Sequence, residues 1–130
     1  MATEIDKVEQ KFRTLKAEYI AHLPQKLTAI QDGWNSLKTR HSVEAINMLH
    51  RDIHALIGSS GTFGCSSLSQ SARRLEESLR PLIEHSTQNF SFNTELAASM
   101  STNIQELFSL VDIIQQELAA RDQDKNREEN

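Results

Sequence analysis

His50 and His54 stand four residues apart in the run LHRDIHALIGSSGTFG, and Gly58 follows His54 at the same spacing. An α-helix turns about 100° per residue, so Asn47, His50, Gly58 and Gly61 all fall within roughly 40° of His54. The apolar set Leu49, Ile53, Leu56 and Phe63 falls on another arc, roughly 180° to 260° round the helix. His54 therefore stands on an outward face, off the core stripe. Glycine inside a helix costs about 1 kcal/mol relative to alanine. Two glycines on the histidine's face point to a group that must come close to the imidazole. A neutral imidazole keeps a lone pair on one ring nitrogen and is a nucleophile there. The other nitrogen then needs an acceptor that fixes the tautomer and steadies the cation formed on reaction.

Other chemistries fit the same stretch less well. Two histidines at i, i+4 can chelate a metal, but residue 51 is Arg, not the glutamate of an H-E-x-x-H helix, and no third ligand follows from the spacing. The expectation is no metal site, with His50 bordering the reactive histidine. GSSGTFG lacks the G-K-[ST] ending and the preceding strand of a nucleotide-binding loop. Cys65 reads as a small packed residue, and Trp34 and the phenylalanines as core or cap residues.

The elements that must position His54 are helical. Ile5, Val8, Phe12, Leu15, Tyr19 and Leu23 recur at three and four, predicting a helix over 3–22 with a narrow apolar stripe. Pro24 biases Leu23 away from helical geometry, predicting a break and a second helix over 24–39 carrying Leu27, Ile30, Trp34 and Leu37. Ser42 is a suitable N-cap for a third helix running to about Gly61, with Glu44 in its first turn. Gly61 to Gly64 make the turn. Ser66 or Ser67 caps a fourth helix to about His85, with Leu68, Ala72, Leu75, Leu79 and Leu82 inward and a bend at Pro81. Residues 86–92 read as a loop, and Asn93 or Thr94 caps a last helix whose stripe runs from Leu96 to Leu118. The rest of the chain reads as a solvated tail, flexible over 121–130.

Such single apolar faces joined by short connections imply helix-on-helix packing. The expectation is an all-α, antiparallel four-helix bundle over 24–120 with an additional N-terminal helix, all within a single domain spanning 1–130. That extra helix would cover one side of the bundle or lie in a weak dimer seam of an otherwise monomeric protein. With 4 glycines and 2 prolines, the chain has too few turn residues for a β-rich fold. No apolar run approaches the ~20 residues that span a bilayer. MATEIDKVEQ is too charged for a secretory signal. A lone cysteine suits a reducing cytoplasm, and a net charge of −4 argues against nucleic acid as the main partner.

The run H-A-L-I-G-S-S-G-T-F-G followed by S-A-R-R-L-E resembles a histidine-containing phosphotransfer (HPt) domain, in which a histidine is followed by two residues, often a lysine, and glycine. The resemblance covers the centre of the chain and implies the same helical bundle. It implies that His54 is the phosphoacceptor of a phosphorelay, a carrier rather than an enzyme, without a nucleotide site or cofactor of its own. The implied partners are a sensor histidine kinase and response-regulator receiver domains, the receiver supplying Mg²⁺. Glu76, 22 residues after His54, matches the glutamate that orients the imidazole in HPt domains of chemotaxis kinases; the plain alternative is a solvated carboxylate paired with Arg73 or Arg80. Ile57 stands where the family often has its lysine and so cannot hold a phosphoryl group. His50, Ile57, Gly58 and Gly61 would border the docking face, with Arg51, Arg73 and Arg80 as a basic rim that steers an acidic receiver pocket. Arg74 joins that basic set. The alternatives are a non-phosphorylated helical adaptor or dimerisation module, with Ile57 marking lost chemistry, and a hydrolase using a metal on His50 and His54.

Overall fold

The computed structural model describes residues 3–84 and 94–129, with side chains described as far as residue 124. Four helices make up these residues: α1 (Glu4–Thr39), α2 (Val43–Thr62), α3 (Ser66–Glu84) and α4 (Thr94–Glu129). α1 packs on α2 and α4, and α3 packs on α2 and α4, which closes a four-helix bundle. Neighbours run antiparallel. Along α2 and α3, Ile57 meets Ser69 while the earlier residue His54 meets the later residue Glu76. Along α1 and α2, Tyr19 meets Ser59 while Gly33 faces Leu49.

The core follows the apolar stripes read from the sequence. Leu23, Leu27, Ile30, Trp34 and Leu37 of α1 are buried against Leu49, Ile53 and Leu56 of α2. Leu68, Ala72, Leu75, Leu79 and Leu82 of α3 close it with Met100, Ile104, Leu107 and Val111 of α4. Each such side chain contributes about 1.5–3 kcal/mol by leaving water.

Three expectations need correction. The predicted N-terminal helix is not separate, because α1 runs unbroken through Pro24. Proline removes the N–H that would bond the carbonyl of Ile20 four residues earlier. Gln115 of α4 donates its Nε2 hydrogen to that carbonyl at 3.2 Å, so the orphaned acceptor is satisfied from another helix. At the other end, α4 continues to Glu129, through the predicted tail. The AARDQDKNREE run is rich in strong helix formers and holds no glycine or proline. Finally, α3 starts at Ser66 itself, one residue earlier than a Ser66 cap would set it, and runs through Pro81 to Glu84. The predicted loop at 86–92 and the cap at Asn93 lie outside the described residues.

The unequal helix lengths decide what is left uncovered. At 1.5 Å per residue, α1 spans about 54 Å and α2 only about 30 Å. Phe63 at the end of α2 stacks on Tyr19 and Phe12, with ring centroids 4.6 and 5.7 Å away. Before that contact α1 has nothing from α2 to pack on. Ile5 and Val8 are 70% and 66% exposed, and Phe12 and Leu15 are also exposed. A capping box between Thr3 and Asp6 stabilises this outlying helix end.

Candidate functional site

The site is built on the α2–α3 hairpin. Ser42 caps α2 as expected, its hydroxyl accepting from the amide of Ala45. The far end of α2 closes in a Schellman motif. The amide of Gly64 bonds the carbonyl of Gly61, and that of Cys65 bonds the carbonyl of Ser60. Gly64 has φ +73°, a left-handed backbone that glycine adopts without strain. The chain thus reverses within three residues and lays α3 along α2.

Small residues hold the two helices close. The hydroxyl of Ser69, on α3, donates to the carbonyl of Ile57 on α2 at 3.0 Å. Ser60 is fully buried, its hydroxyl bonded to the carbonyl of Leu56. A Cβ on Gly61 would meet Ser69 Oγ at 3.7 Å. Gly61 is exposed and stands at the edge of the hairpin seam, one side of it toward Ser69.

That register brings Glu76 level with His54. The Nδ1–H of His54 donates to Oε2 of Glu76 at 3.0 Å. A carboxylate accepts only, so in the neutral ring the proton sits on Nδ1 and the lone pair on Nε2. The His54 side chain is 73% exposed and that of Glu76 only 22%. The acceptor is thus anchored in the helix seam while the imidazole stands out into solvent. Nε2 of His50 lies 3.4 Å from the same Oε2. The His54 hydrogen bond, more than any other neighbour, holds the Glu76 carboxyl below its ordinary pKa; the nearby charge of His50 adds to this, and partial burial opposes it. A carboxyl is ionised at neutral pH already at its ordinary value, and this shift keeps Glu76 charged further into acid.

The surroundings of His54 separate the remaining predicted residues. Gly58, one turn on, is exposed, and a Cβ added there meets nothing within 4 Å. Ile57 is 8% exposed and belongs to the core cluster. As a docking residue it is therefore corrected: its side chain lies between the helices, on the edge of the apolar arc. Arg51, Arg73 and Arg80 are exposed and form no ion pair among the described residues. Arg74 is held by Glu106 of α4 at 2.7 Å, so it braces α3 on α4. Cys65 is buried, which pushes its thiol pKa up and keeps it unreactive.

One feature escaped the sequence reading. His50, His54 and Glu76 offer three ligand atoms within 4.8 Å of one another. The i, i+4 spacing supplied two; the third comes from the register of the hairpin.

No helix of the described residues is long and apolar enough to cross a membrane. A model of the Hpt domain family matches residues 14–102, which include all of α2 and α3 and hence both His54 and Glu76. Comparison with curated proteins and with solved structures returned no match. An exposed, tautomer-fixed histidine on a helical bundle agrees with that single assignment, and the chain belongs to the Hpt domain family, the phosphocarrier modules of two-component phosphorelays.

Proposed function

We propose that His54 is the phosphoacceptor, taking a phosphoryl group from the aspartyl-phosphate of a receiver domain, or from a sensor histidine kinase, and passing it to a response-regulator receiver. The observation that carries this reading is the 3.0 Å hydrogen bond from His54 Nδ1 to Glu76, which leaves the Nε2 lone pair facing solvent. In the step, that lone pair forms a bond to phosphorus. The P–O bond to the aspartate breaks, and its electron pair leaves with the aspartate carboxylate. The Nδ1 proton stays on the ring, and the positive charge created there lies against the Glu76 carboxylate. Return transfer to a second aspartate runs the same steps backward.

Transfer of a phosphoryl group depends on positioning and on neutralising the charge of its equatorial oxygens. The receiver's Mg²⁺ and pocket serve the second need. Gly58 leaves the face of His54 open to that pocket, while Arg51, Arg73 and Arg80 raise the encounter rate with an acidic partner. Neither nucleotide nor cofactor of its own enters the step, and we place the carrier in the cytoplasm, where its single thiol stays reduced. The exposed stripe of Ile5, Val8, Phe12 and Leu15 supports weak self-association through α1, in a chain otherwise monomeric.

Incubation with phosphorylated receiver domains from the same genome tests the reading. Label should pass to the wild-type chain and not to His54→Gln, which keeps the fold to within about 1 kcal/mol because the side chain is exposed. Label on a folded His54→Gln chain would assign the acceptor elsewhere.

A further inference from the structure

The three donor atoms beside the phosphoacceptor form a site in their own right. Oε2 of Glu76 lies 3.0 Å from His54 Nδ1 and 3.4 Å from His50 Nε2. For a tetrahedral ion with bonds of about 2.0–2.1 Å, neighbouring ligand atoms stand about 3.3 to 3.4 Å apart. Two edges of the tetrahedron are therefore nearly in place. The third, between the histidine nitrogens, is at most 4.8 Å and closes with a small rotation of the exposed His54 ring toward the half-buried His50. We propose that His50, His54 and Glu76 bind a divalent transition ion of the Zn²⁺ class, and that the bound ion prevents phosphorylation of His54.

Donor chemistry selects the ion. Two imidazoles and one carboxylate suit Zn²⁺ and its first-row neighbours. Mg²⁺, which prefers oxygen ligands and octahedral geometry, is not taken, so the ion that serves the receiver does not load this site. Three protein ligands leave a fourth position to water, which makes the ion exchangeable rather than structural.

The block on phosphorylation follows from the ring's single lone pair, and it rests on the function proposed above, whereas the metal site does not. A neutral imidazole has one lone pair and one N–H. When Nδ1 points its lone pair at the ion, the proton must sit on Nε2. An Nε2–H has no pair to form a bond to phosphorus. Glu76 thus selects the reactive tautomer when it accepts from Nδ1, and the unreactive one when it shares an ion with it. Ion and phosphoryl group go to opposite nitrogens and still exclude each other on entry. With the ion at ten times its dissociation constant, about one chain in eleven is ion-free, so uptake falls about tenfold.

Two readouts on the full chain test this. Co²⁺ reports binding through its visible ligand-field bands, with Zn²⁺ as competitor. Phosphoramidate reports phosphorylation without receiver or Mg²⁺: the Nε2–P bond forms, the P–N bond breaks, and ammonia leaves. The expected result is tetrahedral Co²⁺ bands that Zn²⁺ abolishes, that millimolar Mg²⁺ leaves in place and that His50→Ala removes. Zn²⁺ should also slow wild-type uptake about tenfold, and alter the rate of His50→Ala much less relative to its own metal-free rate. Absent Co²⁺ bands, or bands unchanged in His50→Ala, would overturn the site. Unchanged uptake in a Zn²⁺-saturated chain would overturn the exclusion. A metal-free chain that takes no phosphate would instead contradict the proposed function, and the Co²⁺ bands would still decide the site.

Discussion

Replacing Glu76 by alanine removes the acceptor of the Nδ1–H bond and the negative charge beside the ring. A hydrogen bond involving a charged group contributes about 1.5–3 kcal/mol. With His54 73% exposed, solvent screens the interaction, and the low end, about 1.5 kcal/mol, applies. Only the part that strengthens on the way to the transition state affects rate. Here the ring becomes cationic as the N–P bond forms, so most of the interaction counts. Glu76→Ala should slow phosphoryl uptake about tenfold, while the fold loses no more than about 1.5 kcal/mol. Glu76→Gln separates the two contributions. Its amide oxygen still accepts from Nδ1, so it should keep the tautomer and lose only the charge, giving a rate between wild type and alanine. The assay pairs uptake kinetics from phosphoramidate with long-range ¹H–¹⁵N spectra of the histidine ring, which report the tautomer directly. An unchanged tautomer and an unchanged rate in folded Glu76→Ala would refute the positioning role.

Gly58→Leu should gain about 1 kcal/mol of helix stability, because the added side chain enters open space; it should keep phosphoramidate uptake and lose receiver transfer, which kinetics with both donors would show. Ile57→Lys, which restores the lysine common in the family, should unfold the chain at lower denaturant and lose about 3 kcal/mol or more, because position 57 is in the core; a fully stable variant with a longer phosphohistidine lifetime would show that the ammonium reaches solvent beside His54. Glu76 has a lowered folded-state pKa, so the stability it adds is present above its unfolded value near 4.5 and is lost as pH falls through the folded value. Denaturation across that acid range should show a shallower loss in Glu76→Gln than in wild type.

Much of this was legible in the residues. The wheel around His54 separates an exposed face from the core arc, and the apolar stripes name nearly every core residue. Periodicity could not see partners supplied from far along the chain. Pro24 reads as a break because its cost is local, yet the donor that satisfies the freed Ile20 carbonyl, Gln115, is 95 residues on from Ile20. Gly61 sits on the histidine's side of the wheel and is exposed there, but its place in the Schellman turn beside Ser69 comes from the hairpin and not from the wheel. Ile57 lies at the edge of the apolar arc, where the angle alone leaves exposure undecided and close α2–α3 packing decides it. The family offset places Glu76 beside His54; that it also meets His50 depends on the hairpin's register, which the sequence does not spell out. The helical run to Glu129 reads as a tail because its composition signals solvation, and a charged helix is solvated too.

The most direct test of the central claim is to phosphorylate the ¹⁵N-histidine-labelled chain with phosphoramidate and record its ³¹P and ring ¹⁵N spectra. One phosphohistidine should form, on His54, with phosphorus coupled to Nε2 and the proton kept on Nδ1. Phosphorus on Nδ1, or on His50 with His54 untouched, would contradict an acceptor whose reactive nitrogen is set by Glu76.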